Sequence, residues 1–154
     1  MNSIKTLYFI MVSFVACLIL FFNNQQIVEG STMNNSEQYN IKIVIEDTTL
    51  TATLDDNPTT RDFISLLPLD LKLEDYAGKE KVNSLPKKLS TEEAPSGFDP
   101  SIGDITYYAP WGNLAIFYKD FGYAKGLIYL GKINKGLEEL NKANDLNVSI
   151  ELIQ

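Results

Sequence analysis

The sequence predicts a mainly β domain, a closed barrel of about eight strands with one or two short helices. Three observations lead there. Short apolar alternations recur through residues 41–152 with turn residues between them. Only 58–67 carries a firm helix signature, with a weaker one at 136–142. Residues 98–134 string three β-patterned runs on Gly-containing turns, with seven aromatics from Tyr107 to Tyr123. At 154 residues the chain accommodates one domain and an appendage.

Ile41, Ile43 and Ile45 alternate with Lys42, Val44 and Glu46, the pattern of a strand with one buried face. Glu46-Asp47 turns the chain. Leu50, Ala52 and Leu54 then alternate with Thr49, Thr51 and Thr53, whose β-branched side chains suit an outer sheet face. The two runs make an N-terminal hairpin. Asn57-Pro58 opens a helix over 58–67, because Asn caps well and Pro at the first helical position has no N–H to leave unbonded. Phe63, Ile64, Leu66 and Leu67 face the core, and Pro68 ends the helix. Leu69, Leu71 and Leu73 mark a third strand, and 80–85 a fourth. Residues 86–100, with Pro86, Pro95, Gly97 and Pro100, read as a loop forming a flap over the barrel mouth. Strands follow at 105–109, 114–118 and 127–130. A short helix at 136–142 turns Leu137 and Leu140 inward, and Val148, Ile150 and Leu152 close the chain as a final strand.

The N-terminus reads as an address. Lys5 precedes an apolar run from Leu7 to Phe22, broken only by Ser13, and Val28-Glu29-Gly30 follows. That order describes a secretory signal peptide over 1–30, cut after Gly30. An uncleaved membrane anchor is the second reading, and lipidation of Cys17 in Phe14-Val15-Ala16-Cys17 the third. Under all three, residues 31–39 are a flexible tether. The domain at 40–154 then lies outside the cytoplasm, secreted or tethered to the cell membrane. Membrane contact runs only through the N-terminal segment, if uncleaved.

Composition excludes much chemistry. A net charge of −7 gives no electrostatic footprint for nucleic acid and repels anionic head groups. There is no His, which removes the usual general base, metal ligand and triad member. The one Cys lies in the apolar N-terminal run, so the domain holds no disulfide, thiol nucleophile or zinc cluster. Asp55-Asp56, Asp75, Glu92-Glu93, Asp99 and Asp104 lack the spacing of a calcium loop. P-loop, dinucleotide and nucleophile-elbow motifs are absent. No metal or other cofactor is expected, and no catalytic residue is assigned.

The runs Gly103-Asp104-Ile105, Gly112-Asn113-Leu114-Ala115-Ile116-Phe117-Tyr118 and Gly126-Leu127-Ile128-Tyr129-Leu130-Gly131-Lys132-Ile133 resemble, in order, the later strands of cyclophilins. Asn134 to Leu140 continues the likeness through the following helix, and Val148 to Ile153 through the last strand. Residues 40–154 as a whole look like the small bacterial cyclophilin-like domains, most plainly at 103–123 and at Leu73-Glu74-Asp75-Tyr76-Ala77-Gly78. The resemblance implies a cyclophilin-like closed β-barrel. Cyclophilins that isomerise prolyl bonds polarise the amide with an arginine in a Phe-His-Arg segment and place a histidine at the proline pocket. This chain departs on both counts. Arg61, its only Arg, reads as a solvated charge on the helix beside Asp62, and Lys125-Gly126-Leu127 occupies the histidine's neighbourhood. Lowering an isomerisation barrier of about 18–20 kcal/mol needs a positioned donor, which apolar contact does not replace.

The candidate binding residues are aromatics with one amide. Tyr107 and Ala109 share a face with Ile105 while Tyr108 shares the other with Thr106, so one Tyr is core and the other is exposed or lines a groove. Trp111, in the turn Pro110-Trp111-Gly112-Asn113, offers large apolar area and one donor at a rim. Phe117, Phe121 and Tyr123 complete the cluster at an aromatic-lined mouth, and Asn113 suits a contact as well as a turn. These six, Tyr108, Trp111, Asn113, Phe117, Phe121 and Tyr123, fit a module binding a peptide segment or a small apolar ligand. A peptidyl-prolyl isomerase with a non-standard site is the alternative. A cell-surface protein partner gripping the same aromatics is the third reading.

Overall fold

The computed structural model describes residues 37–142 and 144–153. The expected signal peptide or anchor, Cys17 and residues 31–36 of the tether lie outside the described residues. In chain order the strands are β1 (Gln38–Ile45), β2 (Thr48–Asp55), β3 (Leu69–Tyr76), β4 (Glu80–Ser84), β5 (Gly97–Phe98), β6 (Asp104–Tyr108), β7 (Asn113–Phe117), β8 (Ala124–Lys125), β9 (Leu127–Lys135) and β10 (Leu146–Leu152). Between β2 and β3 lies α1 (Pro58–Ile64), and a 3-10 helix spans Leu137–Asn141. Eight strands close into a barrel in the order β1-β10-β3-β4-β7-β6-β9-β2, while β5 and β8 pair as a separate ribbon. Every pairing is antiparallel.

The alternations read from sequence are the barrel's inner wall. Ile41, Ile43 and Ile45 of β1, Leu50, Ala52 and Leu54 of β2, and Val148 and Ile150 of β10 all lie in one core. Full burial of such a side chain contributes about 1.5–3 kcal/mol, so this interior dominates stability. Strand β1 starts at Gln38, inside the stretch read as tether: Gln38 pairs with Asp55 and Tyr39 with Leu54. Strands β3 and β9 outrun the predicted runs, because ladder pairing continues beyond the last alternating apolar residue.

Both helices are shorter than their patterns suggest. The Asn57 side chain caps α1 by accepting the Thr60 N–H at 2.8 Å, with Pro58 at the first helical position. Past Ile64 the N–H groups of Leu66 and Leu67 donate to Phe63 and Ile64, three residues back. The residue before Pro68 is steered away from the α region, so the last turn tightens. The run expected as a helix at 136–142 forms the 3-10 turns instead. Leu140 is fully buried, and Leu137 packs partly against the core.

Residues 86–100 are a fixed cover, not a free loop, packed into the barrel end. Leu85 and Leu89 join the barrel core with Phe63 and Tyr107. The Leu89 N–H donates to the Tyr107 hydroxyl at 3.1 Å, and the Thr59 hydroxyl donates to the Ser90 carbonyl at 2.7 Å. Asp62 of α1 accepts from the Ser90 N–H at 2.8 Å and pairs with Lys87 at 2.5 Å. The segment is thus bolted to α1 and closed over the interior. Its far end supplies β5, which pairs with β8; two-residue strands carry no readable period.

Candidate functional site

Register builds the site on the outer wall of the barrel. Tyr76 of β3 pairs with Glu80 of β4, and Glu80 with Phe117 of β7. Two residues along, Val82 pairs with Ala115, and Ala115 with Thr106 of β6. Two further, Asn113 pairs with Tyr108, and Tyr108 with Leu127 of β9. Side chains alternate across a strand, so these three rows share one face, opposite the core residues Ile105, Tyr107, Leu114 and Ile116. Tyr107 is the core tyrosine and Tyr108 the half-buried outer one. Ala115, Phe117 and Leu127 form a second apolar cluster there, flanked by Val82, Phe98, Tyr108 and Ala124.

These rows floor a concavity of about 220 Å³, walled by Tyr76, Trp111, Phe121 and Ala124. Trp111 stands at its rim, 63% exposed, edge-on to Tyr108 (5.3 Å, 82°) and to Tyr76 (6.0 Å, 80°). Phe121 leans on Phe117 at 5.7 Å, and the Lys79 ammonium lies 5.6 Å from the Phe121 ring centroid. Two polar groups break the apolar lining. Glu80 is only 8% exposed and, among the described residues, has no side-chain hydrogen bond or ion pair. Asn113 is 7% exposed, and its Oδ1 is buried without a partner.

Burial alone pushes the Glu80 carboxyl from 4.5 up to about 7. Native Glu80 thus keeps its proton where the unfolded chain has lost it. Its contribution to stability should fall as pH rises from 4.5 to about 7 and level off above. Each unit in that window removes up to about 1.4 kcal/mol. Asp62, held low by the Lys87 hydrogen bond, and Asp75, held low by the Tyr118 hydroxyl, act at more acid pH. Urea denaturation at pH 5 and pH 8 reads the effect. Glu80→Gln should flatten the slope and be the more stable protein at pH 8; a variant keeping the wild-type slope would show that another group sets it.

Residues 43–151 match the model of the cyclophilin-like family. The chain belongs to the cyclophilin-like family. The solution structure of the hypothetical protein AF2241 from Archaeoglobus fulgidus superposes with a TM-score of 0.55 at 17% sequence identity, covering 79% of this chain and 99% of that one. At that identity the likeness concerns the fold. No curated protein matches the sequence.

In this cyclophilin-like barrel, five of the six expected binding residues come together: Tyr108, Trp111, Asn113, Phe117 and Phe121 all line the concavity. They stand on the outer wall, not at a mouth, because Tyr108, Asn113 and Phe117 point away from the core. Tyr123 is outside the lining and 61% exposed; its hydroxyl meets the Ser96 hydroxyl at 3.2 Å. Arg61 is elsewhere. Its guanidinium pairs with Asp56 at 2.6 Å and lines a separate polar recess with Glu92, Glu93 and Tyr129. Sequence reasoning missed Tyr76, Glu80 and Val82. The available signal was Glu80-Lys81 inside a strand, since alternation obliges one charge to face inward and leaves the other on a covered outer wall.

Proposed function

We propose that this protein is an exported cyclophilin-like binding module whose outer-wall concavity takes a peptide segment or a small apolar ligand. The observation that carries the reading is the concavity itself: an aromatic and aliphatic lining with two largely buried polar side chains, Glu80 and Asn113, the Asn113 Oδ1 without a partner. Apolar walls with a few convergent polar groups are the usual make-up of ligand sites. The position of Arg61 on α1, paired with Asp56, and the absence of His favour binding without the standard prolyl isomerisation. Export rests on the N-terminal apolar run. The same rim of Trp111, Tyr76 and Phe121 suits a cell-surface protein partner.

Trp111 is the chain's only Trp, so its fluorescence reports on this site alone. Titration of a Xaa-Pro tetrapeptide series should shift that emission and perturb the side-chain amide of Asn113 in NMR spectra. Trp111→Ala should weaken the binding seen by NMR by about 2 kcal/mol or more. It should leave stability within about 0.5 kcal/mol, since the ring is largely solvated. Peptides and small apolar ligands that leave Trp111 and Asn113 unperturbed would sink the reading. Exchange spectroscopy on the same samples tests the isomerase alternative, which predicts accelerated cis–trans exchange abolished by Phe117→Ala.

A further inference from the structure

We propose that the group selected by this concavity is a cationic nitrogen centre, an amine or quaternary ammonium, enclosed by the Tyr76, Tyr108 and Trp111 rings with Glu80 as its counter-ion. The inference rests on the binding reading above and specifies its ligand. Both converging polar groups can accept: the Glu80 carboxylate and Asn113 Oδ1, each more than nine-tenths buried by residue exposure. Among the described residues no Lys or Arg lines the concavity. Above about pH 7, where Glu80 is ionised, an anion would therefore meet a like charge, and a wholly apolar ligand would desolvate Glu80 further and leave Asn113 Oδ1 unpaired. A cation pairs with Glu80, and Asn113, four residues along the β4–β7 ladder, is left to the rest of the ligand.

The rings supply the remainder. Trp111 stands nearly perpendicular to Tyr76 and to Tyr108, which makes the corner of a box. Ring faces carry partial negative charge, and boxes of this kind hold ammonium groups that keep their charge while losing water. Phe121 already has a cation against it, the Lys79 ammonium at 5.6 Å. A volume of about 220 Å³ suits a head group; whole drug-sized ligands occupy about 300–1,000 Å³.

The test titrates the full-length protein at pH 8 with choline and with 3,3-dimethyl-1-butanol, its uncharged carbon isostere, at constant ionic strength. Trp111 emission and calorimetry give the two affinities. Choline should bind at least tenfold tighter than the isostere. Glu80→Gln should weaken choline at least tenfold and leave the isostere unchanged or tighter. Equal affinity for the two ligands, or choline binding indifferent to Glu80→Gln, overturns the proposal while isostere binding upholds the broader module reading. Failure of choline, trimethyllysine tetrapeptides and phosphatidylcholine vesicles alike to bind also overturns it, and the unmodified tetrapeptide titration then decides the broader reading separately. Free choline, trimethyllysine tetrapeptides and phosphatidylcholine vesicles distinguish the source. Glu80-dependent binding of any one supports the proposal and says whether the centre belongs to a free amine, a peptide or a lipid head group.

Discussion

Replacing Lys81 with alanine should destabilise the domain by about 3–5 kcal/mol, the usual cost of breaking a buried ion pair from one side. Lys81 is 0% exposed, on the inner face of β4. Its ammonium donates to Asp75 Oδ2 at 3.0 Å, to the Lys142 carbonyl at 2.6 Å and to the Asn144 carbonyl at 2.9 Å. All three of its donors are thereby used. Asp75 also accepts the Tyr118 hydroxyl at 2.5 Å and the Gly78 N–H at 2.9 Å. Alanine would strip two carbonyls of their donor and leave the Asp75 carboxylate without its counter-charge. Lys81→Met keeps the aliphatic stem and isolates the polar part of the loss; Lys81→Met with Asp75→Asn should recover part of it. Urea denaturation midpoints measure each step. A loss below about 1 kcal/mol for Lys81→Ala would mean the network is solvated and this account of it wrong. The Tyr118 hydrogen bond, then Lys81, holds the Asp75 carboxyl below its ordinary 3.8. Its stabilisation is therefore full above 3.8 and fades as pH falls through the lowered value.

The second large effect is expected at Gly131. It sits in β9 between two neighbours, paired with Leu54 of β2 and Ile105 of β6. A Cβ there would lie 2.2 Å from the Thr53 carbonyl oxygen and 2.6 Å from the Leu54 Cα. Overpacking typically costs about 1–3 kcal/mol when side chains can yield. Here backbone must move, so Gly131→Ala should cost about 3 kcal/mol or more and loosen the β2–β9 seam. Gly78→Ala is the control: φ is +65° and nothing lies within 4 Å of the added carbon. It should cost only the left-handed strain of about 1–2 kcal/mol. Hydrogen exchange of β2 and β9 amides tells the two apart. Equal losses, with β2–β9 protection intact in both, would refute the steric argument.

The inner wall was legible because period-two alternation leaves a mark on the chain. Ile41, Ile43 and Ile45, or Leu50, Ala52 and Leu54, announce both strand and facing without any tertiary knowledge. The outer-wall site was legible in part. Tyr108, Trp111, Asn113, Phe117 and Phe121 cluster in sequence around one hairpin, so aromatic density alone drew attention to them. Tyr76, Glu80 and Val82 arrive from a different hairpin, and only the β4–β7 pairing brings them alongside. Glu80 in particular looks like an ordinary solvated charge until β4 is known to be covered on both faces. Tyr123 shows the converse error: proximity in sequence placed it in the cluster, but the chain turns through Gly122 and sends its ring to Ser96.

Closure of the sheet has a consequence for how anything docks here. Each of the eight barrel strands has a hydrogen-bonded neighbour on both sides, and the β5–β8 ribbon offers strands of only two residues. Among the described residues an extended peptide therefore finds no barrel strand with a wholly unpaired side to zip onto, the route taken by partners that lengthen an open sheet. The proposed concavity offers protruding groups instead, so selectivity there would be written in side-chain chemistry and shape.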